Sequence, residues 1–124
     1  MIAYNGKKVE LNHFPDGTLL MKEAVQAGEP QVITWLYEAE EELVALYFLT
    51  SHLKSKGIAN IELKMPYIPN ARQDRVKTPE DIFTLKYFAQ MINGMGFSGV
   101  TVLDAHSHVS EALIDRDRKS TRLN

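Results

Sequence analysis

Two hydrophobic periodicities alternate along the chain and divide it into strands and helices. Apolar, β-branched and aromatic residues cluster at 31–37, 58–65 and 99–103 and predict three strands. The first run is nearly continuous in apolar character, which is typical of a strand buried on both faces. Between the runs, apolar residues recur at spacings of three and four, which indicates two amphipathic helices. Their expected buried stripes are Leu43, Leu46, Tyr47, Leu49, Thr50 and Leu53 in the first helix and Leu85, Phe88, Met91, Ile92 and Met95 in the second.

The residues at the ends of both helices fit this assignment. Glutamates at 38 and 40–42 crowd the start of the first helix, and Lys54, Lys56 and Gly57 follow its last turn. This order complements the helix dipole, so we interpret the acidic run as a solvated helix start rather than a metal site. Residues 78–81, with threonine as N-cap and proline next, predict the start of the second helix. Glycines at 94 and 96 can end it.

The first thirty residues predict short strands joined by turns. Asn5-Gly6 between the apolar segments 2–4 and 9–14 is a strong hairpin signal, because both central positions of that turn favour positive φ. Residues 15–17 form a second turn. Strands that then alternate with helices over short connections predict an α/β fold with a mainly parallel sheet flanked by helices and an N-terminal β-hairpin.

Composition narrows the class of protein. The 124 residues suffice for one domain, and the net charge of −2 gives no basic surface for nucleic acid or an anionic membrane. The absence of cysteine excludes disulfides and thiolate metal sites. No segment has the length and apolarity of a signal peptide or a membrane span. A cytoplasmic domain that binds neither nucleic acid nor a membrane is therefore expected.

Two segments follow the ends of predicted parallel strands, where ligands bind in such sheets. The first, residues 66–77, is long for a strand-to-helix connection and contains Arg72, Gln73, Asp74 and Arg75. Guanidinium groups bind phosphate bidentately, and a carboxamide offers both a donor and an acceptor to a base or a ribose. The alternative is a surface loop in which arginine and aspartate pair with each other, and spacing alone leaves both interpretations open.

The second segment, residues 104–108, contains Asp104, His106 and His108 at alternate positions. In an extended chain these three side chains share one face, which could bind a divalent cation or hold an acid and a base. Alternatively, one histidine simply forms a hydrogen bond with a neighbouring loop.

Neither a glycine-rich phosphate-binding loop nor a Ser/His/Asp motif is evident, which argues against an ATP-using enzyme of the P-loop kind.

Three motifs together resemble a known family. Phe-Pro-Asp-Gly at 14–17, Ala-Arg-Gln-Asp-Arg at 71–75 and Leu-Asp-Ala-His at 103–106 occur in the order and approximate spacing found in ribose-phosphate diphosphokinases, also called phosphoribosyl diphosphate synthetases. Residues 86–92 are similar to the family's helix between the second and third motifs. The resemblance covers about residues 5–115, and it implies the N-terminal one of two phosphoribosyltransferase-like lobes.

The resemblance also implies an activity and a set of partners. The family transfers the β,γ-diphosphoryl group of ATP to ribose 5-phosphate with Mg²⁺ as cofactor, giving 5-phosphoribosyl 1-diphosphate for nucleotide biosynthesis. By motif position, Arg72 and Gln73 would contact ATP, and Asp74 would belong to the same ATP-binding loop. His106 would lie beside the triphosphate as a catalytic residue and help to hold Mg²⁺.

The first motif implies an oligomer. Phe14 and Asp16 would reach the adenine of ATP in a neighbouring subunit, so the active site would be shared within a homo-oligomer. The sequence departs from the family at Thr18, where an acidic residue is usual, and at 76–81, where the family is more basic. These changes bear on nucleotide preference more than on the class of reaction.

The end of the chain departs further. After residue 115 the resemblance stops, and residues 116–124 are polar and without a core pattern, like a translated adapter sequence. We therefore expect a domain at 1–115 and a non-native or disordered tail at 116–124. Because the second lobe of the family is missing, the chain is expected to be inactive alone.

Two other functions stay open at this point. A non-catalytic regulatory homologue that binds nucleotide or a partner synthetase would fit the altered residues 76–81. An unrelated α/β domain could bind a metal through His106 and His108.

Overall fold

The structure, a computed structural model, describes residues 1–69 and 75–103 and the backbone of 117–120. It contains one large sheet, one small hairpin and two helices. The elements are β1 (Ile2–Tyr4), β2 (Lys7–Lys8), β3 (Asn12–His13), β4 (Leu19–Leu20), β5 (Gln31–Trp35), α1 (Glu41–Ser55), β6 (Ile61–Met65), α2 (Thr84–Met95), β7 (Gly99–Val102) and β8 (Asp117–Ser120).

The large sheet has the strand order β2-β1-β5-β6-β7-β8, and β3 pairs only with β4. β1 runs antiparallel to β2 and β5, whereas β5, β6, β7 and β8 are parallel to one another. The predicted mainly parallel α/β sheet is thus confirmed. The N-terminal hairpin is confirmed as well, since Asn5 and Gly6 both have positive φ, 48° and 86°.

The core lies on one face of this sheet. Alternate residues of β1, β5 and β6 are buried, and their neighbours along each strand are half-buried or exposed. The expectation that β5 is buried on both faces is therefore wrong. Parallel neighbouring strands with right-handed crossovers place α1 and α2 on the same side of the sheet, which leaves the other side without a helix among the described residues.

α1 and α2 cover the buried face, but each exposes one residue that the periodicity assigned to the core. Leu46, Leu49 and Leu53 of α1 are buried, whereas Tyr47 is 53% exposed. In α2 the corresponding exception is Met91, at 50%. Spacings of three and four define a broad stripe, and a residue at its margin turns outward when the neighbouring helix does not cover it.

The start of α2 also differs from the prediction. The helix begins at Thr84, with Phe83 as its N-cap, and Thr78 does not cap it. Instead the carboxylate of Asp81 accepts hydrogen bonds from the backbone N–H groups of Lys77 and Thr78, both at 3.0 Å. These bonds close a turn before the helix, which delays its start. Gly96 ends the helix with φ of 74°, as predicted.

One glutamate of the acidic run is buried, contrary to our interpretation of that run as solvated. Glu42 accepts hydrogen bonds from the indole N–H of Trp35 at 3.2 Å and from the backbone N–H groups of Glu38 and Ala39 at 2.8 and 3.3 Å. Its second oxygen contacts the ammonium group of Met1. This carboxylate thereby joins the end of β5, the connection after it and the first turn of α1.

β8 lies within residues 116–124, which the sequence analysis expects to be non-native or disordered. It pairs with β7 through backbone groups that almost every residue carries, so the pairing does not bear on the origin of the segment. That origin stays a prediction. Among the residues that the structure describes, no helix combines the length and apolarity needed to cross a membrane.

Replacing Glu42 by glutamine should lower the free energy of unfolding by about 2 kcal/mol, because the new amide group points donor hydrogens at donor N–H groups. Urea denaturation of the variant checks this value. Glu10→Gln is the matched control, since Glu10 is exposed and its loss should change stability by less than about 0.5 kcal/mol. Equal stability of the two variants would contradict the assigned role of Glu42.

The stability that Glu42 contributes should depend on pH. Burial alone raises the pKa of Glu42, but hydrogen bonds from the Met1 ammonium group, Glu38 and Trp35 outweigh it and hold the pKa below the ordinary value of 4.5. A carboxyl group with a lowered folded-state pKa stabilises the fold fully above its unfolded-state pKa and loses this effect as the pH falls through the folded-state pKa.

The difference in unfolding free energy between the wild type and Glu42→Gln should therefore be constant above about pH 5.5 and shrink as the pH falls below the ordinary glutamate value. Urea titrations at several pH values measure this difference. A gap that widens on acidification would rule out the hydrogen-bonded carboxylate as its source.

Candidate functional site

The carboxyl ends of β5, β6 and β7 form one edge of the parallel sheet. These strands pair in register and end at Trp35, Met65 and Val102, so the segments that follow them leave the sheet side by side. The first segment that the sequence nominates, 66–77, starts at this edge, and the second, 104–108, lies outside the described residues. In open parallel sheets this is the edge at which ligands bind.

The segment after β6 is firmly anchored where it leaves the strand. Ile68 is 1% exposed, and Pro69 is also buried. The hydroxyl group of Tyr67 donates a hydrogen bond to the backbone carbonyl of Tyr37 at 2.9 Å, which ties this segment to the one that follows β5. The predicted ATP-binding residues at 72–74 come directly after this anchor, and they lie outside the described residues.

A turn at residues 77–81 stands at the other end of this segment. The pKa of Asp81 is lowered because its carboxylate accepts the backbone N–H groups of Lys77 and then Thr78. An ionised Asp81 at neutral pH therefore keeps the turn closed. Residues 70–74, which lie outside the described residues, stand in the sequence between the buried anchor and this turn.

Tyr37 supports the same edge through its side chain. Its hydroxyl group donates to the carboxylate of Glu40 at 2.7 Å, and this bond raises the pKa of the tyrosine. Sequence reasoning missed both Tyr37 and Tyr67. The only signal was that each tyrosine stands two residues after the last residue of a parallel strand.

The segment after β7 begins at Leu103, whose backbone N–H donates to the carbonyl of Met65 at 2.9 Å. His106 and His108 lie outside the described residues. Within residues 1–69 and 75–103, no group of three or more histidine, aspartate or glutamate side chains is arranged to hold a metal ion.

The β3–β4 hairpin presents the remaining two candidate residues. Phe14 is 48% exposed at its tip, and Asp16 is exposed beside it. The Asp16 carboxylate accepts hydrogen bonds from the backbone N–H and the hydroxyl group of Thr18, at 3.0 and 2.7 Å. The bond from the Thr18 backbone is the main cause that lowers the pKa of Asp16. The hairpin therefore displays an aromatic ring and an ionised carboxylate in one fixed turn.

This hairpin lies beside the start of α1. His13, at the end of β3, contacts the carboxylate of Glu41, the first residue of the helix. Because α1 follows β5, its first turn is near the carboxyl edge of the sheet. The hairpin is thus on the same side of the molecule as the two strand-end segments.

Comparisons with known proteins show the family to which this chain belongs. Residues 2–96 match the family described as the N-terminal domain of ribose phosphate pyrophosphokinase, which is another name for ribose-phosphate diphosphokinase. The ribose-phosphate pyrophosphokinase of Helicobacter hepaticus is 31% identical over 111 residues, 87% of this chain and 36% of that protein. The one from Thermococcus kodakarensis is 27% identical over 101 residues, 81% of this chain and 36% of that protein.

A solved structure shares the fold. The crystal structure of phosphoribosylpyrophosphate synthetase from Mycobacterium smegmatis superposes with a TM-score of 0.74 at 18% identity, over 89% of this chain and 38% of that one. The chain thus spans little more than a third of the length of these relatives. Since the family match covers residues 2–96, which include two of the three motifs, the chain belongs to the ribose-phosphate pyrophosphokinase family through its N-terminal domain.

Proposed function

We propose that this chain is the N-terminal part of a ribose-phosphate diphosphokinase that makes 5-phosphoribosyl 1-diphosphate from ATP and ribose 5-phosphate. The observation that carries the proposal is the family match over residues 2–96, which includes the specific motif at 71–75. The anchored loop at the carboxyl edge of the sheet supports it, because that is where a nucleotide would bind in this kind of fold.

In the proposed reaction the anomeric oxygen of ribose 5-phosphate attacks the β-phosphorus of ATP. A new oxygen–phosphorus bond forms, the bond between the β-phosphorus and the oxygen of the α-phosphate breaks, AMP leaves and the hydroxyl proton passes to solvent. Transfer of this kind depends mostly on positioning and charge neutralisation. Arginine at 72 and glutamine at 73 suit those tasks, with Asp74 in the same ATP-binding loop.

Magnesium enters the proposal through the family resemblance, and when bound it would neutralise charge on the triphosphate. We assign His106 as its protein ligand and as the catalytic residue beside the triphosphate. The homo-oligomer with a shared active site is likewise proposed. Phe14 and Asp16 are exposed and held in one turn, as residues that reach a neighbouring subunit's adenine would need to be.

The gene that encodes this chain offers the first test. We expect a second phosphoribosyltransferase-like lobe to be encoded downstream of codon 115, and the 124-residue chain to show no diphosphokinase activity without it. A stop codon there and no second lobe would contradict the enzyme and favour a non-catalytic relative that binds nucleotide or a partner synthetase.

In the full-length protein, Arg72→Ala should lower kcat/KM for ATP by about a hundredfold, because a phosphate-binding guanidinium group is lost. AMP release in the presence of ATP, Mg²⁺ and ribose 5-phosphate is the measurement. Lys86→Ala is the control, since it removes a positive charge from an exposed position on α2. Equal losses in both variants would show a general charge effect and count against the ATP-binding loop.

Phe14→Ala in the full-length protein should raise KM for ATP about tenfold with kcat nearly unchanged, because stacking on a base is worth about 1–3 kcal/mol and the adenine is remote from the transferred group. Steady-state kinetics with ATP as the varied substrate measure both constants. Val25→Ala removes another exposed apolar side chain as a control. A drop in kcat with KM preserved would exclude a role confined to the adenine.

A further inference from the structure

The β3–β4 hairpin carries the first motif but is not part of the large sheet. Among the described residues, β3 and β4 contain two residues each and pair only with each other. A two-stranded hairpin of this size is at best marginally stable in isolation. Its orientation on the domain therefore depends on contacts between its side chains and the elements beside it.

The tip of the hairpin, residues 14–18, is fixed internally by hydrogen bonds. The backbone N–H of Phe14 donates to the carbonyl of Thr18 at 2.8 Å, and that of Gly17 donates to the carbonyl of Phe14 at 2.9 Å. The carboxylate of Asp16 accepts both the N–H and the hydroxyl group of Thr18. These bonds hold the tip residues relative to one another. Whatever fixes the strand just before the tip therefore also sets the direction in which the tip points.

Alternation along the strand gives His13 and Phe14 opposite directions, because successive side chains of a strand point to opposite faces. His13 is paired with Leu19 of β4, so these two side chains lie on the same face of the hairpin. That face is turned to α1, since Leu19 lines a groove beside Phe48 and His13 contacts Glu41. Phe14 is thereby directed to the other face, where it is 48% exposed.

Apolar packing fixes the hairpin against α1 only in part. Leu19 and Met21 contact the core but stay half-buried, and a groove of about 480 Å³ opens between them and the side chains of Phe48 and Leu49. Closely packed interiors contain few voids larger than a water molecule, so a groove of this size leaves room for the hairpin to shift.

Two histidines join this part of the chain to α1 at separate points. The ring of His13 contacts the carboxylate of Glu41, the first residue of the helix. The ring of His52, in the last turn of the helix, donates a hydrogen bond to the backbone carbonyl of Glu23 at 3.0 Å. Glu41 and His52 are separated by about 16 Å along the helix axis. The contact of His13 is the one next to the tip.

We propose that His13 is a positioning residue for the nucleotide site, because its contact with Glu41 sets the orientation of the tip on the domain. The residue after Glu41 is Glu42, which accepts the indole N–H of Trp35 at the end of β5. The contact thus ties the tip to the carboxyl edge of the sheet. The consequence for ATP rests on the proposed function, in which Phe14 and Asp16 reach the adenine.

The contact matters for orientation more than for stability. Both side chains are 41% exposed, and exposed ion pairs contribute little to the free energy of unfolding. A small energy is nevertheless enough to shift an element between orientations that differ little in packing. The expected effect is therefore a modest change in the binding of ATP with the rest of the domain unaltered.

Steady-state kinetics of the full-length protein test this effect. His13→Ala should raise KM for ATP roughly threefold to fivefold, with kcat and KM for ribose 5-phosphate nearly unchanged. Glu41→Ala should give the same rise, and the double variant should show no further rise, because both changes remove one contact. His13→Arg should restore the wild-type KM, since a guanidinium group also donates to a carboxylate. Asn12→Ala, which removes an exposed polar side chain from the same strand, is the control and should leave KM unchanged.

A lower kcat in His13→Ala that arginine does not restore would indicate a general loss of structure and overturn the positioning role. An unchanged KM in His13→Ala, beside a raised KM in Phe14→Ala, would overturn it as well. A full-length wild type without diphosphokinase activity would instead contradict the proposed function, and the 124-residue chain then decides the contact between hairpin and helix by itself.

Nuclear magnetic resonance of the 124-residue chain tests that contact without any substrate. In the wild type, backbone amide relaxation at Phe14 and Gly17 should give order parameters of about 0.85, as in α1. In His13→Ala these values should fall to about 0.6 while those of α1 stay the same. Asn12→Ala should keep the wild-type values. Equal order parameters at the tip in the wild type and in His13→Ala would overturn the proposal.

Discussion

The buried carboxylate of Glu42 constrains much of this fold. It accepts hydrogen bonds from the Trp35 side chain at the end of β5, from two backbone N–H groups in the following connection and from the first residue of the chain. A buried charge is costly unless it is fully hydrogen-bonded, so these donors must stay together for the carboxylate to remain where it is. The residue before β1, the end of β5 and the start of α1 are therefore held in one relative arrangement.

The hydrogen bonds of Glu42 also hold the segment after β5, which contacts the start of the candidate site. The connection that donates to Glu42 also contains Tyr37, whose backbone carbonyl accepts the hydroxyl group of Tyr67. Two hydrogen bonds thus connect the Glu42 carboxylate to the segment before residues 70–74. The first is from the Glu38 N–H to Glu42, and the second is from the Tyr67 hydroxyl group to the adjacent Tyr37 carbonyl. Because residues 66–69 are held by this bond and by the burial of Ile68, the loop's start is fixed before any ligand contact. Rigid support of this kind is what any binding site at this edge of the sheet would need to hold a ligand in one orientation.

The sequence predicts the elements of this fold well and their surroundings less well. Hydrophobic periodicity and glycine positions place β5, α1, β6, α2 and β7 because these signals are local. Hydrophobic periodicity assigns Tyr47 and Met91 wrongly, because the burial of a residue at the margin of a stripe depends on which other element reaches it. The interpretation of Glu42 as solvated is wrong because its hydrogen-bond donors include Trp35 and Met1, which are distant in the sequence. Thr78 does not cap α2, because Asp81 accepts the backbone N–H groups of Lys77 and Thr78 and closes a separate turn, and the helix begins only at Thr84. For the site, strand-end position nominates two segments, but only family resemblance gives roles to Arg72, Gln73, Asp74 and His106. The position of Tyr37 and Tyr67, each two residues after a parallel strand, does not by itself predict that the two residues are hydrogen-bonded.

The packing core of this domain is separate from the hairpin that carries the first motif. Its described core consists of buried residues between Ile2 and Val102. In this core, β1, β5, β6 and β7 bury one face of the sheet under the two helices. None of the described core residues belongs to the motif at 14–17, so that motif is attached to a core that does not need it for its packing. Exposed side chains outside the core, such as Thr18 in the β3–β4 hairpin, can therefore change with little cost to the fold.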